Sequence, residues 1–195
     1  GVACHIIPGL SAFVGGDITA GILASGMLEQ EASTLLIDLG TNGEMALGNR
    51  HRLHACATAA GPAFEGGANR GIWGADMVRL LQKLLEEGLM DGQGLLKEPY
   101  FTKGVRIGDV LVTKESVRAV QLAKGAIAAG IEILADSYGI RFSDISKVVL
   151  AGGFGYYLDP KAAVAIGLLP EELADCTVTG GNTALSGAAM VGSRI

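Results

Sequence analysis

The sequence predicts an α/β fold: a mixed sheet that begins with an antiparallel meander and carries helices on its faces. Two observations lead to this prediction. Three short apolar runs between residues 34 and 57 are separated only by glycine-containing turns, whereas the later strand-like runs are separated by helical patterns. Strands joined by tight turns pair antiparallel, and strands joined through a helix pair parallel. We therefore expect one domain over residues 1–195, with residues 1–33 as a linker and connecting helix.

Composition and charge limit the function classes. The chain has 195 residues, 49% of them hydrophobic, which is enough to bury a real core. Its net charge of −5, without any run of Lys or Arg, argues against a nucleic-acid or anionic-membrane surface. Gly, Asp and Lys interrupt every apolar run before it reaches membrane-spanning length. Because no signal sequence or membrane-spanning run is readable, we expect a cytoplasmic protein. Because the chain starts with glycine and not methionine, we expect a piece of a longer one.

The first predicted elements are a loop and a helix. Residues 7–15 contain Pro and Gly and indicate a loop, whereas apolar residues recur at helical spacing between Asp17 and Met27. Ala20 and Gly21 are small enough for close helix packing. Asp17 is interpreted as a helix N-cap acid, and the alternative, a carboxylate near a ligand cleft, is implied only by the family resemblance described below.

An apolar strand leads directly into a charged corner at residues 35–44, LLIDLGTNGE. Asp38 leaves the end of a buried strand, where its carboxylate can meet solvent or a hydrated metal. Glu44 opens the returning strand, and residues 52–57 give a third strand. The alternative is that Asp38 and Glu44 only cap and solvate a tight hairpin.

The turn between these two acids has the residue types of a phosphate-binding loop. Gly40 and Gly43 are expected to take positive φ and to let the backbone approach a ligand. The backbone N–H groups and the Thr41 hydroxyl would then be free to donate to phosphate oxygens. Asn42-Gly43 is also a strong signal for a short hairpin.

The middle of the chain is predicted to be largely helical. Residues 59–67 form a loop in which Glu65 is the only charge, so Glu65 is either a solvated residue or an acid near a hydrated magnesium ion. An amphipathic helix is predicted from Met77 to Glu87, followed by a glycine-rich, irregular region over residues 91–109 that contains at most one strand. A long helix is then predicted from Thr113, a good N-cap, to Tyr138.

A second strand-to-glycine corner occurs at residues 148–159, VVLAGGFGYYLD. A buried strand ends in Gly152-Gly153, and Asp159-Pro160 supplies an N-cap and a first-turn proline for the next helix. A last strand is predicted over residues 176–179, and a closing helix over residues 182–191. Two such corners separated by a long helix are what a nucleotide cleft built from strand ends requires.

Several familiar sites are excluded by the sequence. The P-loop string G-x-x-x-x-G-K-[ST] is absent, and a third glycine at the dinucleotide-binding offset is missing. Cys4, Cys56 and Cys176 are scattered without a C-x-x-C pair, so we expect free thiols and neither a zinc site nor an iron–sulfur cluster within this chain. His51 and His54 flank a hairpin turn and have no ligand pattern.

Five segments in a fixed order carry a family resemblance over nearly the whole chain: DLGTNGE, ACATAAGPAFEGG, QLAKGAIAAGIEIL, LAGGFGYYLD and GGNTALSGA. Together they resemble the C-terminal domain of the corrinoid reductive activators. These activators are ATP-dependent proteins of the acetate and sugar kinase, heat-shock chaperone and actin superfamily. The resemblance implies an actin-like ATPase lobe with a ribonuclease H-like sheet. The sequence departs from the family pattern near residues 67–69, where family members carry a longer insert that this chain lacks.

The resemblance also implies roles for particular residues. Asp38 would orient a magnesium-bound water, and Glu65 would assist it from the loop. Nucleotide contacts would come from Gly40, Thr41, Asn42, Gly43 and Glu44 on the phosphate side, and from Gly152, Gly153, Phe154 and Gly155 on the adenosine side. The implied cofactors are ATP and Mg2+, with an iron–sulfur cluster only in a part of the parent protein outside this chain.

The implied function is an ATP-binding domain that couples ATP binding and hydrolysis to low-potential electron transfer onto a corrinoid protein. We expect a homodimer, and we expect the chain alone to be inactive. Two alternatives stay open. One is a small-molecule kinase of the same superfamily, and the other is a non-catalytic dimerisation or docking module that keeps the glycine corners only as structure.

Overall fold

The fold is taken from a computed structural model, which describes residues 4–61, 63 and 74–194. Glu65 and the segment 67–73 therefore lie outside the described residues. The helices are α1 Gly16–Ser25, α2 Gly74–Glu86, α3 Tyr100–Lys103, α4 Lys114–Tyr138, α5 Gly152–Gly155, α6 Pro160–Ala165 and α7 Thr183–Gly192. The strands are β1 Ser33–Leu39, β2 Gly43–Gly48, β3 Leu53–Thr58, β4 Val105–Ile107, β5 Val110–Val112, β6 Ile145–Ala151 and β7 Thr177–Gly181.

Within the described residues, the main sheet has five strands in the order β3-β2-β1-β6-β7. The first three strands form the predicted antiparallel meander. β6 joins β1 in parallel, and β7 joins β6 in parallel. The mixed sheet predicted from the sequence is therefore confirmed. Its central strand β1 has one antiparallel and one parallel neighbour.

Helices cover both faces of this sheet because the side chains of β1 alternate between two apolar cores. Leu35 and Ile37 belong to a large core that also contains Ile127 of α4. Leu36 faces the other side and packs in a smaller core with Ile18 of α1. All of these side chains are at most 1% exposed, and full burial of each contributes about 1.5–3 kcal/mol to stability.

The helix caps predicted at Thr113 and Asp159 are confirmed, and Asn182 supplies a third cap that was not predicted. Thr113 Oγ1 accepts a hydrogen bond from the N–H of Ser116 at the start of α4. Asp159 accepts from the N–H of Lys161 at the start of α6. Asn182 accepts from the N–H of Leu185 at the start of α7. Each of these caps satisfies one N–H that the helix itself leaves without a partner.

The first and last helices, α1 and α7, pack at unusually close range. A Cβ added to Gly187 would collide with the backbone of Ala20, and one added to Gly21 would lie 3.0 Å from Thr183 Oγ1. Thr183 is 4% exposed, and its hydroxyl is the one buried side-chain oxygen or nitrogen without a hydrogen-bond partner among the described residues. The prediction that small residues permit close packing of α1 therefore holds at Gly21.

Two details of the sequence-based description need correction. The β1–β2 loop consists of residues 40–42, and Gly43 is already paired with Leu39 as the first residue of β2. Asn42-Gly43 is therefore not the centre of a two-residue turn. The region 91–109 contains one strand, β4, as expected, but it also contains the unexpected helix α3, and β4 pairs with β5 in a separate two-stranded sheet. In the described part of the chain, no helix has the length and apolar character needed to cross a bilayer.

Candidate functional site

The two glycine corners lie side by side at one edge of the sheet. β1 and β6 run parallel, with Asp38 in register with Ala151, so Gly152 follows directly beside Asp38. The carboxyl ends of neighbouring parallel strands are where open α/β sheets bind ligands. The sequence predicted that the two corners build one cleft, and their adjacency comes from the parallel pairing of two strands that lie far apart in the chain.

Gly152 makes this close approach possible. Its φ is +84°, a conformation that other residues adopt only with strain. A Cβ at this position would collide with Asp38 Oδ1 and would lie 2.8 Å from the carbonyl oxygen of Leu39. Gly152 therefore turns the chain out of β6 directly against the end of β1 and fixes where the Asp38 carboxylate lies.

The other glycines of the two corners divide into packed and open positions. A Cβ on Gly43 would lie 2.7 Å from Thr58 Oγ1, and one on Gly155 would lie 3.2 Å from the carbonyl carbon of Leu150. Both glycines are buried, and each is needed for packing. By contrast, a Cβ on Gly153 would meet no atom within 4 Å, and one on Gly40 would meet only an oxygen 3.8 Å away.

The predicted reason for Gly40 and Gly43 is wrong. Neither residue has a positive φ. Position 43 requires glycine because residues of β3 and α4 pack closely against it. Gly40 is exposed at the end of β1, where its N–H donates to the carbonyl oxygen of Asn42 at 3.2 Å. Thr58, which the sequence analysis did not single out, holds this turn by donating to the carbonyl oxygen of Gly43 at 3.0 Å.

Phe154 has a different environment from the one its predicted role suggests. Its side chain is 8% exposed and belongs to the large core. Any contact of this residue with a ligand at the corner would have to involve its backbone. The residues that follow, Tyr156 and Tyr157, are exposed and contact each other edge to face at 4.8 Å between ring centroids.

Asp38 is the electrostatically perturbed group at this corner. The pKa of Asp38 is raised from 3.8 to about 6, mainly by burial and to smaller extents by the nearby carboxylates of Glu44 and then Asp17. Glu44 lies directly opposite Asp38 across the hairpin, and Asp17 lies in the first turn of α1. The sequence had left open whether Asp17 is near the cleft, and it is close enough to act on Asp38.

A cleft of about 630 Å3 lies beside the β1–β2 loop. Its lining includes Asp17, Asn42 and Glu44, together with residues 55–59 of β3 and its end and loop residues 11–15, whereas Asp38 and Gly152 are not among its lining residues. Thr41 and Asn42 of the loop are exposed. The cleft therefore carries a negative potential, which favours a cation or a cation-bound anion over a free anion.

The donor set fits a loosely held hydrated cation better than a protein cage. Among the described residues, no group of three or more His, Cys, Asp or Glu side chains is arranged to hold a metal ion. Mg2+ is usually bound through one or two carboxylates, several waters and the phosphates of a substrate. Asp38 and its acidic neighbours match that pattern, and Glu65 lies outside the described residues.

Comparison with known proteins gives one family and several relatives. The chain matches the family described as "C-terminal domain of RACo the ASKHA domain" over residues 32–70 and 67–194. It is 35% identical to the corrinoid activation enzyme RamQ of Eubacterium limosum, covering 85% of this chain and 37% of RamQ. It is 27% identical to the [Co(II) methylated amine-specific corrinoid protein] reductase of Methanosarcina barkeri, covering 94% of this chain and 43% of the reductase.

A solved structure described as a reductive activator for corrinoid,iron-sulfur protein is similar to this chain with a TM-score of 0.86 and 31% identity. The match covers 96% of this chain and 38% of the activator. The chain thus spans well under half the length of each of these relatives. The alignment with RamQ extends over 222 positions although the chain has 195 residues, so RamQ carries residues that this chain lacks. The two segments of the family match meet at residues 67–70, the place where the sequence had indicated a missing insert.

Proposed function

Because the chain belongs to the family of C-terminal ASKHA domains of RACo, we propose that it is the nucleotide-binding lobe of an ATP-dependent reductive activator of a corrinoid protein. In the full-length protein, ATP binding and hydrolysis would be coupled to low-potential electron transfer onto the corrinoid cofactor. The electron donor, an iron–sulfur cluster, would lie in a part of the parent protein outside these residues.

The observation that carries the proposal is the contact between the two glycine corners. The Asp38 carboxylate, the exposed loop 40–42 and the open position at Gly153 lie at one edge of the sheet, on neighbouring strand ends. A nucleotide needs a carboxylate for its hydrated cation, backbone donors for its phosphates and free space beside the chain for its ribose. These three features occur together here, as the superfamily resemblance implies.

The proposed roles follow the geometry of the individual residues. Gly40, Thr41 and Asn42 would face the β- and γ-phosphates, since their loop is exposed beside Asp38. Gly153 would face the ribose and adenine, because its surroundings are open. Gly43, Gly152 and Gly155 would act indirectly by shaping the corner, and Glu44 would act on Asp38 through its charge.

Asp38 is the residue that we propose to orient magnesium-bound water. Because burial and two nearby acids raise the pKa of Asp38 to about 6, the corner disfavours the ionised carboxylate, and a bound cation would reverse that preference. Magnesium would supply charge neutralisation for the phosphates, and Asp38 would hold the hydrated ion in place. Two further acids nearby strengthen the attraction for a divalent cation.

The choice of reductive activation over a small-molecule kinase is supported by the relatives. RamQ and the Methanosarcina barkeri reductase are both named for activity on corrinoid proteins, and the similar solved structure is named as a reductive activator. We propose that the partner of the full-length protein is likewise a corrinoid protein. We also propose a cytoplasmic homodimer, as expected from the sequence.

Nucleotide binding is tested by calorimetric titration of the full-length protein with ATP and magnesium. Gly153→Val should weaken ATP binding at least tenfold, because the valine side chain would enter the space assigned to the ribose. The substitution should leave the fold intact, because a Cβ at this position meets no atom within 4 Å. Gly125→Val in α4 is the matched control, since a Cβ there also meets no atom within 4 Å. Normal ATP affinity in a folded Gly153→Val protein would refute the adenosine-side assignment.

Corrinoid activation is tested separately by adding a corrinoid protein and a low-potential reductant to the full-length protein. Formation of the reduced cobalt state should require ATP and should be followed by its absorption spectrum. ATP binding without ATP-dependent cobalt reduction would favour the kinase alternative. The absence of ATP binding altogether would favour the docking or dimerisation module.

A further inference from the structure

A second concave surface lies away from the strand corner, between loop residues 93–96 and the first turns of α4. Its volume is about 700 Å3. Leu95 on the loop and Leu122 on the helix are 54% and 58% exposed, and both line it. Two large aliphatic side chains that face each other across a groove are an apolar surface without a partner among the described residues.

The groove adjoins a smaller and more enclosed apolar cavity. This cavity has a volume of about 180 Å3, lies between α2, α4 and the end of α6, and shares Gly94 and Gln121 with the groove. Leu81, Met90 and Val117 are among its lining residues. Apolar cavities of about 150 Å3 can hold a benzene-sized group, so one large apolar side chain entering from the groove would fit.

The groove is edged by positive charge. Lys114, Arg118 and Leu122 follow one another at four-residue spacing and therefore form one stripe along α4. Lys114 has a long contact of 4.0 Å with the neighbouring Glu115, and no acid lies within 4 Å of Arg118 in the described chain. Residues 93–124 carry six Lys or Arg and three Asp or Glu, although the whole chain has 15 and 20 respectively. Among the residues that line the groove itself, Lys114 and Arg118 are basic and Glu115 is acidic, so its rim carries a small excess of positive charge in a protein whose net charge is −5.

We propose that this groove docks an acidic amphipathic helix of a partner protein. Carboxylates of that helix would pair with Arg118 and Lys114, its apolar stripe would cover Leu95 and Leu122, and one large side chain would enter the enclosed cavity. A helix laid in an apolar groove is a common mode of peptide recognition. The charge of the rim selects an acidic partner, and the apolar floor selects a protein segment over a free anion.

The proposal does not depend on nucleotide binding, because none of the groove residues belongs to the strand corner. It is tested on the full-length protein with a short synthetic helical peptide that carries leucine on one face and glutamate beside it. A second peptide has lysine in place of every glutamate, and fluorescence anisotropy measures both. The acidic peptide should bind at micromolar concentration, at least tenfold more tightly than the basic one, and more weakly as salt increases.

Matched variants identify the surface. Leu122→Ser and Arg118→Glu should each weaken binding of the acidic peptide at least about fivefold. Ile133→Ser is the control for the first, because Ile133 is 65% exposed on the same helix, and Lys161→Glu is the control for the charge reversal. Both controls should bind within twofold of the unaltered protein.

Four results would overturn the proposal. One is equal binding of the acidic and basic peptides, and a second is equal loss in the control variants. The third is a shift from dimer to monomer in Leu122→Ser during analytical ultracentrifugation, which would make the groove a contact between copies of the same protein. The fourth is no binding of the acidic peptide by the full-length protein.

Discussion

Ionisation of Asp38 should destabilise the free lobe, and the substitution Asp38→Asn should remove that effect. The folded-state pKa of about 6 lies above the unfolded value of about 3.9, so the folded protein binds a proton more tightly than the unfolded chain. The contribution of Asp38 to the free energy of unfolding is therefore greatest at low pH, and it is lost as the pH rises from about 4 through 6. One pKa unit corresponds to about 1.36 kcal/mol, so the complete loss amounts to about 3 kcal/mol.

The assay is urea denaturation of the lobe at pH 5 and pH 8, with EDTA present and without nucleotide. About half of the loss, roughly 1.5 kcal/mol, falls between these two pH values. The stability of the unaltered protein relative to Asp38→Asn should decline by that amount, which corresponds to about 3–6 °C in Tm for a chain of this size. Any constant effect of the asparagine side chain cancels in this difference.

Asp136→Asn is the control, because it removes one carboxylate from an exposed position on α4. Its stability should stay parallel to that of the unaltered protein across the same pH range. Parallel curves for Asp38→Asn as well would refute the reasoning, since they would mean that the Asp38 carboxylate is as well solvated in the folded state as in the unfolded chain.

Three further predictions concern activity, packing and completeness. In the full-length protein, Asp38→Asn should lower ATP turnover at least about tenfold while Asp136→Asn leaves it unchanged, and turnover within twofold would exclude the metal-orienting role. Gly187→Ala should destabilise the lobe by about 3 kcal/mol in urea denaturation, because its Cβ would overlap the backbone of Ala20, whereas Gly192→Ala, with no atom within 4 Å, should be neutral. The 195-residue chain by itself should bind MgATP only at millimolar concentration and should not release phosphate, because actin-like ATPases place the nucleotide between two lobes; a micromolar dissociation constant would contradict this.

The sequence was sufficient for the elements whose signals are local. The strand-to-acid corner at Asp38, the cap at Thr113 and the Asp159-Pro160 helix start each depend on a few neighbouring residues, and the structure has all three. α3 and the β4–β5 hairpin were not recognised, because four- and three-residue elements are too short to show a period.

The candidate site was predictable as a set of residues but not as an arrangement. Gly43 and Gly152 both follow or precede a predicted strand and cannot be told apart in the sequence, yet only Gly152 has a positive φ. Position 43 requires glycine because Thr58 packs closely against it. Thr58 itself gave no signal beyond its place in a motif. These distinctions depend on contacts between β1, β3, α4 and β6, which are distant in the chain, and a local pattern cannot carry them.

The parallel pairing of β1 with β6 has a consequence for how the chain folds. Residues 40–144 lie between these strands, so their pairing closes a long loop and is expected to be slow. The β1–β2–β3 meander requires only local contacts and can form first. Until β6 pairs with β1, the edge of this apolar strand is unpaired and can pair with strands of other molecules. Aggregation during synthesis should therefore begin at the strand that ends in Asp38.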